Sequence, residues 1–297
     1  MYRIRVVTET KTLKPYHVRQ IPKRNHSFVM SSEALNACEL LTDQYKKQTT
    51  LSWITAKNEM DKLRTIWFDL TGATKLELEK LEDFVAILYG YHEHLLRDVM
   101  QSVDDNGSTS LHYAVGHGAW PVVNLILDSG YAEPDRFNLV GFSPIMIATV
   151  CNISNGAALT TLSRLFRAGN VNLRSNTTTR QTPLMMAASN GSREVVKLLL
   201  EHGAQVNLQD TSGNTALMFA LENGDLVVIS TLLERPELDL SLLDNDGQDA
   251  LAIAKSKGNI LACDLIERTL AGHRGWSVMR IGLQLTYGTM SIDEGWE

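Results

Sequence analysis

Five segments of this chain repeat one another at intervals close to 33 residues. They read DDNGSTSLHYAVGHG from Asp104, NLVGFSPIMIATVCN from Asn138, TTTRQTPLMMAASNG from Thr177, DTSGNTALMFALENG from Asp210 and DNDGQDALAIAKSKG from Asp244. One apolar slot recurs as Leu111, Ile145, Leu184, Leu217 and Leu251, at spacings of 34, 39, 33 and 34. A unit this short cannot bury its own apolar face. Such units gain a continuous core only by stacking on one another.

Each segment is followed by a second apolar run: PVVNLILD, LTTLSRLF, REVVKLLLE, DLVVISTLLE and NILACDLIE. Val195, Val196, Leu198, Leu199 and Leu200 have the spacing of a helix packed against neighbours. Gly130, Gly169 and Gly203 suit left-handed C-caps after these runs. Gly107, Gly141, Gly213 and Gly247 suit tight finger turns between repeats, and Arg180 in that slot predicts a wider third finger. The second repeat carries five extra residues between Ala148 and Gly169, which are expected in a longer connection near CNISNG. Period and phase together predict an all-α ankyrin-repeat solenoid of five repeats over 104–272.

The flanks differ from the repeats. Residues 1–30 form a basic arm expected to be flexible, and 273–297 an atypical tail without helical period. Four candidate helices fill 31–103, the first with Ser32 as N-cap. They are expected to cap the first repeat, with Trp53, Trp67 and Phe84 in the cap core.

Charge and composition exclude several functions. Residues 1–25 carry seven lysines and arginines against one glutamate, so the net charge of −6 leaves −12 on residues 26–297. An acidic body disfavours nucleic acid and favours a cationic partner. No run of 18 apolar residues suits a membrane helix, and MYRIRVVTETKTLK lacks the apolar core of a secretory signal. Cys38, Cys151 and Cys263 are far apart, so neither a zinc cage nor a disulfide framework is expected, and a reducing cytoplasmic compartment is the default. YHEH at 91–94 is not a metalloprotease motif, no glycine-rich phosphate loop occurs, and no nucleophile–base spacing stands out. Asp104, Asp105, Asp210, Asp244 and Asp246 sit at finger turns, where Asp bonds the local backbone. No catalytic residue, cofactor or metal is predicted.

Recognition is therefore expected on the concave side. Each first helix ends in two exposed positions: Gly116 and His117, Val150 and Cys151, Ser189 and Asn190, Glu222 and Asn223, then Ser256 and Lys257. Slightly earlier stands a large apolar residue: Tyr113, Ile147, Met186, Phe219 or Ile253. That stripe either packs repeat on repeat or lines a groove for an amphipathic segment. Tyr113, beside the small Gly116 and with Trp120 nearby, is the favoured anchor.

One departure narrows the type. SPIM, TPLM and TALM carry Met where ankyrin repeats usually carry His, and only His112 keeps that residue. Met is expected to replace the polar bridge of that His with soft packing. With NGSTSLHYAVGHGAWPVVNLILDSG, GFSPIM, LFRAGNVN, GAQVNLQDTSGNTALM and LLDNDG, residues 84–270 resemble the C-terminal ankyrin domain of the Kank family, whose members join a KN motif to ankyrin repeats.

The resemblance implies a cytoplasmic adaptor at the cell cortex that restrains actin polymerisation and links adhesion sites to cortical microtubules. It implies a helical or extended cationic peptide partner, such as a kinesin-four tail, with Tyr113, Gly116 and His117 in the groove. The KN motif and the coiled coil of that family are not visible here, so talin and liprin are not expected partners. The alternative is a generic ankyrin regulator that masks a basic signalling or nuclear partner.

Overall fold

The computed structural model describes residues 21–72, 77–151, 153 and 156–271. Residues 1–20 of the basic arm and the tail 273–297 lie outside the described residues. The regular structure of the described residues is helical, as an all-α repeat solenoid requires. By contacts the chain divides between Glu133 and Pro134 into two compact units.

The first unit holds α1 (Ser32–Tyr45), α2 (Trp53–Gly72), α3 (Leu78–Tyr91), α4 (Glu93–Met100), α5 (Ser110–Gly116) and α6 (Trp120–Asp128). Helices α5 and α6 are the first repeat, and α2 and α3 pack against them. Trp67 is fully buried, stacks on Phe84 at 6.2 Å and donates its indole N–H to Ser110 Oγ at 2.9 Å. That bond satisfies the polar end of a large apolar side chain inside the core. Trp53 is not cap core. It is 75% exposed at the start of α2, with Lys57 Nζ 5.4 Å from its ring centre. The N-cap of α1 is Ser31, one residue earlier than expected, because its hydroxyl reaches the Ala34 amide.

Before α1 the backbone of 25–28 wraps a carboxylate. Asp83, fully buried on α3, accepts hydrogen bonds from the amides of Asn25, His26, Ser27 and Phe28 and from Ser27 Oγ. Burial works to raise the Asp83 carboxyl, but these donors outweigh it and hold it at about 2.

The second unit holds α7 (Pro144–Val150), α8 (Gly156–Ala168), α9 (Pro183–Ser189), α10 (Arg193–Glu201), α11 (Ala216–Asn223), α12 (Leu226–Leu233), α13 (Ala250–Ser256) and α14 (260–271). Helix α7 packs on α9, α9 on α11 and α11 on α13, while α8, α10 and α12 form the second row. The slot residues Ile145, Leu184 and Leu217 are closed inside this stack. Leu251 is only half-buried.

Backbone bonds join neighbouring fingers: Asn176 N to Gly141 O, Thr211 N to Thr179 O and Asn245 N to Ser212 O, all at 2.9–3.0 Å. On the far side Asn172 and Asn207 each bridge to the next repeat, through Gly203 O and Gln205 N, and Glu237 O and Asp239 N. Such bonds use backbone groups that would otherwise be orphaned between helices. Gly213 shows why its slot excludes a side chain. Its φ is +80°, and a Cβ there would lie 2.9 Å from the Asn245 amide nitrogen and the Asp244 Cα of the next finger.

The third finger is wider. Its closing bond runs from Ser175 N to Gln181 O, whereas the first runs from Asp104 N to Ser108 O, and Arg180 holds a left-handed φ of 52°. The insertion in the second repeat is shared between connection and helix. Five residues separate α7 from α8, against three between α5 and α6 and between α9 and α10, and helix α8 spans 13 residues against nine for α6 and α10. Gly169 follows α8 directly and does not take a left-handed conformation. It is required for space instead, since a Cβ would lie 2.4 Å from Ile145 Cδ1 and 2.6 Å from Asp135 Oδ1.

Candidate functional surface

The N-terminus of each first helix decides how rigidly its exposed end is held. In α5, Thr109 N donates to His112 Nδ1 at 3.0 Å, closing a capping box. The expectation that Met abandons this bridge is overturned. Met185 Sδ accepts from Thr182 N at 3.3 Å, and Met218 Sδ accepts from Thr215 N at 3.4 Å. The reverse bonds, Met185 N to Thr182 Oγ1 and Met218 N to Thr215 Oγ1, complete both boxes. A thioether is a weak acceptor, but it reaches the equivalent N-cap amide, as the His112 ring does in α5. In α7 the box is absent: Ser143 makes no cap bond, and its buried Oγ has no partner.

In the first unit Tyr113 is half-buried, while Gly116 and His117 are exposed. The Tyr113 hydroxyl donates to Asp104 Oδ2 at 2.5 Å, and its ring lies edge-on to Phe68 at 6.4 Å. The bond to Asp104 holds the phenol above its ordinary pKa. Burial would raise Asp104, but bonds from Tyr113 and from the Ser108 and Asn106 amides hold it below the usual carboxylate range. Tyr113 therefore presents a fixed ring, with its hydroxyl already engaged. Trp120 is half-buried, and its Nε1 lies 3.7 Å from where a Cβ on Gly118 would stand.

In the second unit the predicted residues form one row. Ile147, Met186 and Phe219 are half-buried, and Val150, Ser189, Asn190 and Glu222 are exposed. Ile253, in the equivalent slot of the fifth repeat, is closed at 6% exposure. The row is pinned across repeats by Ser192 Oγ on Thr149 O at 3.0 Å, Asn223 Nδ2 on Ser189 O at 2.9 Å and Arg193 on Asp225. Val150 is 50% exposed and lines an open cavity of about 370 Å³ with Cys151, Ile153, Asn190, Arg193 and Glu194. The structure thus brings Val150 and Asn190 together. Burial pushes the Cys151 thiol up, and its Sγ lies 3.2 Å from Ile147 O, so it is not poised as a nucleophile.

Three of the five finger aspartates bond the local backbone. Asp104, Asp210 and Asp244 each accept from the amides two and four residues on. Among the described residues no three His, Cys, Asp or Glu side chains gather as a metal site would require. No helix among them is long and apolar enough to cross a membrane.

Two further features lie outside the sequence-based expectations. Leu139 and Val140 stand 79% and 64% exposed at the tip of the second finger. The signal was available, because the other finger tips are polar. The Asp83 cradle had no local signal, since its donors lie more than 50 residues away.

Comparison with known proteins agrees with the repeats. Residues 106–139 match the family described as Ankyrin repeat, and residues 151–244 match Ankyrin repeats (3 copies). The mouse protein Rabankyrin-5 is 40% identical over 92 residues, which is 31% of this chain and 8% of that relative. The repeats are ankyrin repeats, a protein–protein interaction module.

Proposed function

We propose that the chain is an adaptor whose second unit takes up a cationic peptide along the ends of α7, α9 and α11. One observation carries this reading. Ile147, Met186 and Phe219 keep part of their apolar surface open, whereas Ile253 in the same slot is closed. Three successive steps that leave apolar surface open form a strip that the apolar side of a peptide can cover. Its rim supplies an amide from Asn190 and a carboxylate from Glu222, the groups that would meet a peptide backbone and a Lys or Arg. Tyr113, Gly116 and His117 offer a second, separate contact surface on the first unit.

The phrase-level resemblance to Kank proteins supports a kinesin-four tail as the peptide. It also supports a role at the cell cortex, in control of actin polymerisation and cortical microtubules. The test is a calorimetric titration of the full chain with a cationic kinesin-four tail peptide, beside Val150→Asp and Glu222→Lys. Both substitutions are on exposed positions and spare the fold. The reading expects binding weakened about tenfold or more by Glu222→Lys, in line with the cost of a misplaced rim charge. Binding unchanged in both variants would move the peptide elsewhere. The second reading, a regulator masking a basic nuclear or signalling partner, rests on the acidic balance of residues 26–297. It expects no preference for the motor tail over a scrambled peptide of equal charge.

A further inference from the structure

Residues 21–28 form a strap against α3. Ile21 and Pro22 share an open cleft of about 340 Å³ with Leu78 and Glu82 of α3 and Pro121, Asn124 and Leu125 of α6. Next along the strap, Asn25 to Phe28 close on Asp83, and Asn25 Nδ2 reaches Glu82 at 3.2 Å. This seats Phe28 edge-on to Phe84 at 5.9 Å and leads into the buried Met30. The strap has no helix or strand of its own, so it is held chiefly by the Asp83 carboxylate, with the Glu82 bond and a few apolar contacts beside it.

Ser27 sits at the centre of that attachment. It is exposed, yet its Oγ donates to Asp83 Oδ2 at 3.0 Å. The sequence around it is Lys23-Arg24-Asn25-His26-Ser27-Phe28, and Lys23 and Arg24 are both exposed. Two cations four and three residues before a serine, with an apolar residue after it, form the charge pattern that basophilic protein kinases select. An irregular, exposed stretch is also what a kinase cleft can take in extended form.

We propose that Ser27 is a phosphorylation site for a basophilic protein kinase and that its modification releases the strap from α3. In the step the Ser27 oxygen attacks the γ-phosphorus of ATP. An O–P bond forms as the β,γ-anhydride bond breaks, the hydroxyl proton passes to the catalytic-loop aspartate of the kinase and on to solvent, and ADP leaves. The product carries about −1.5 to −2 charge at neutral pH, next to the Asp83 carboxylate and near Glu82. A donor has become an anion facing an anion, and the amides of 25–28 cannot hold both. Release uncovers Phe28 and the side of Phe84 that it covers, and removes Ile21 and Pro22 from the cleft lined by α3 and α6.

The experiment treats the full chain with ATP and the catalytic subunit of the cyclic-AMP-dependent protein kinase. Mass spectrometry maps the phosphate, and hydrogen exchange is followed at the amides of 25–28. The expected result is phosphate on Ser27, faster exchange at those amides by about tenfold or more, and unchanged protection in α1–α4. Ser27→Ala should take up no phosphate at this site and keep slow exchange, since the four amide bonds to Asp83 remain. No phosphate on Ser27 would overturn the proposal. So would phosphate on Ser27 with exchange unchanged, or with protection lost throughout α1–α4.

Discussion

Replacing Met185 by Leu isolates one unusual bond. The two side chains are close in volume, and such swaps in a core typically cost less than about 1.5 kcal/mol. Met185 is buried, and its Sδ is the acceptor for the Thr182 amide at 3.3 Å. Leucine offers no acceptor, so a buried N–H is orphaned at a cost of about 1–3 kcal/mol. The sulfur bond is weak, which puts the added loss near the lower end, about 1 kcal/mol. Met146→Leu is the matched control. Met146 is equally buried, but its helix closes no capping box. Urea unfolding of the two variants should separate them by about 1 kcal/mol, with Met185→Leu the less stable. Met185→His should retain the stability of the parent, because His112 makes the same bridge through Nδ1. Equal losses for the two leucine variants would refute sulfur as a working cap acceptor.

Three further outcomes follow from the same geometry. Ser143→Ala removes a buried hydroxyl that has no partner and should raise stability by about 1 kcal/mol; a lower urea midpoint would contradict this. Gly213→Ala forces a left-handed alanine against the next finger and should cost about 2–3 kcal/mol, seen as loss of cooperative unfolding in the second unit. The Asp83 carboxyl stands at about 2 when folded against an ordinary 3.8, so the unfolded chain binds protons first on acidification. Exchange protection of the Asn25–Phe28 amides should hold above about pH 4 and fade as the pH drops toward 2; protection independent of pH across that window would refute the role of the charge.

The repeat was legible because period, slot and glycine phase are local properties of one chain. Leu111, Ile145, Leu184 and Leu217 are buried as their phase requires. Leu251 is less so, because the phase of a slot says nothing of how fully its outer face is covered. The errors have physical causes. Hydrophobicity alone places Trp53 in the core, but it starts α2 and stands exposed. Its place after an apolar run suggests a C-cap role for Gly169, but the lengthened α8 runs up to it and leaves it crowded by Ile145. Side-chain softness alone predicts no bridge at Met185 and Met218, whereas distance decides whether a sulfur meets an amide. The Asp83 cradle joins segments 55–58 residues apart, which no motif spacing encodes.

The most direct test of the proposed docking row is a hydrogen-exchange footprint of the full chain with and without the cationic kinesin-four tail peptide. A peptide lying on the row slows exchange at 147–151, 186–192 and 219–223 and leaves the finger tips at 139–141 and 211–213 unchanged. Protection confined to the finger tips, where Leu139 and Val140 are exposed, would contradict it, as would no protection at saturating peptide.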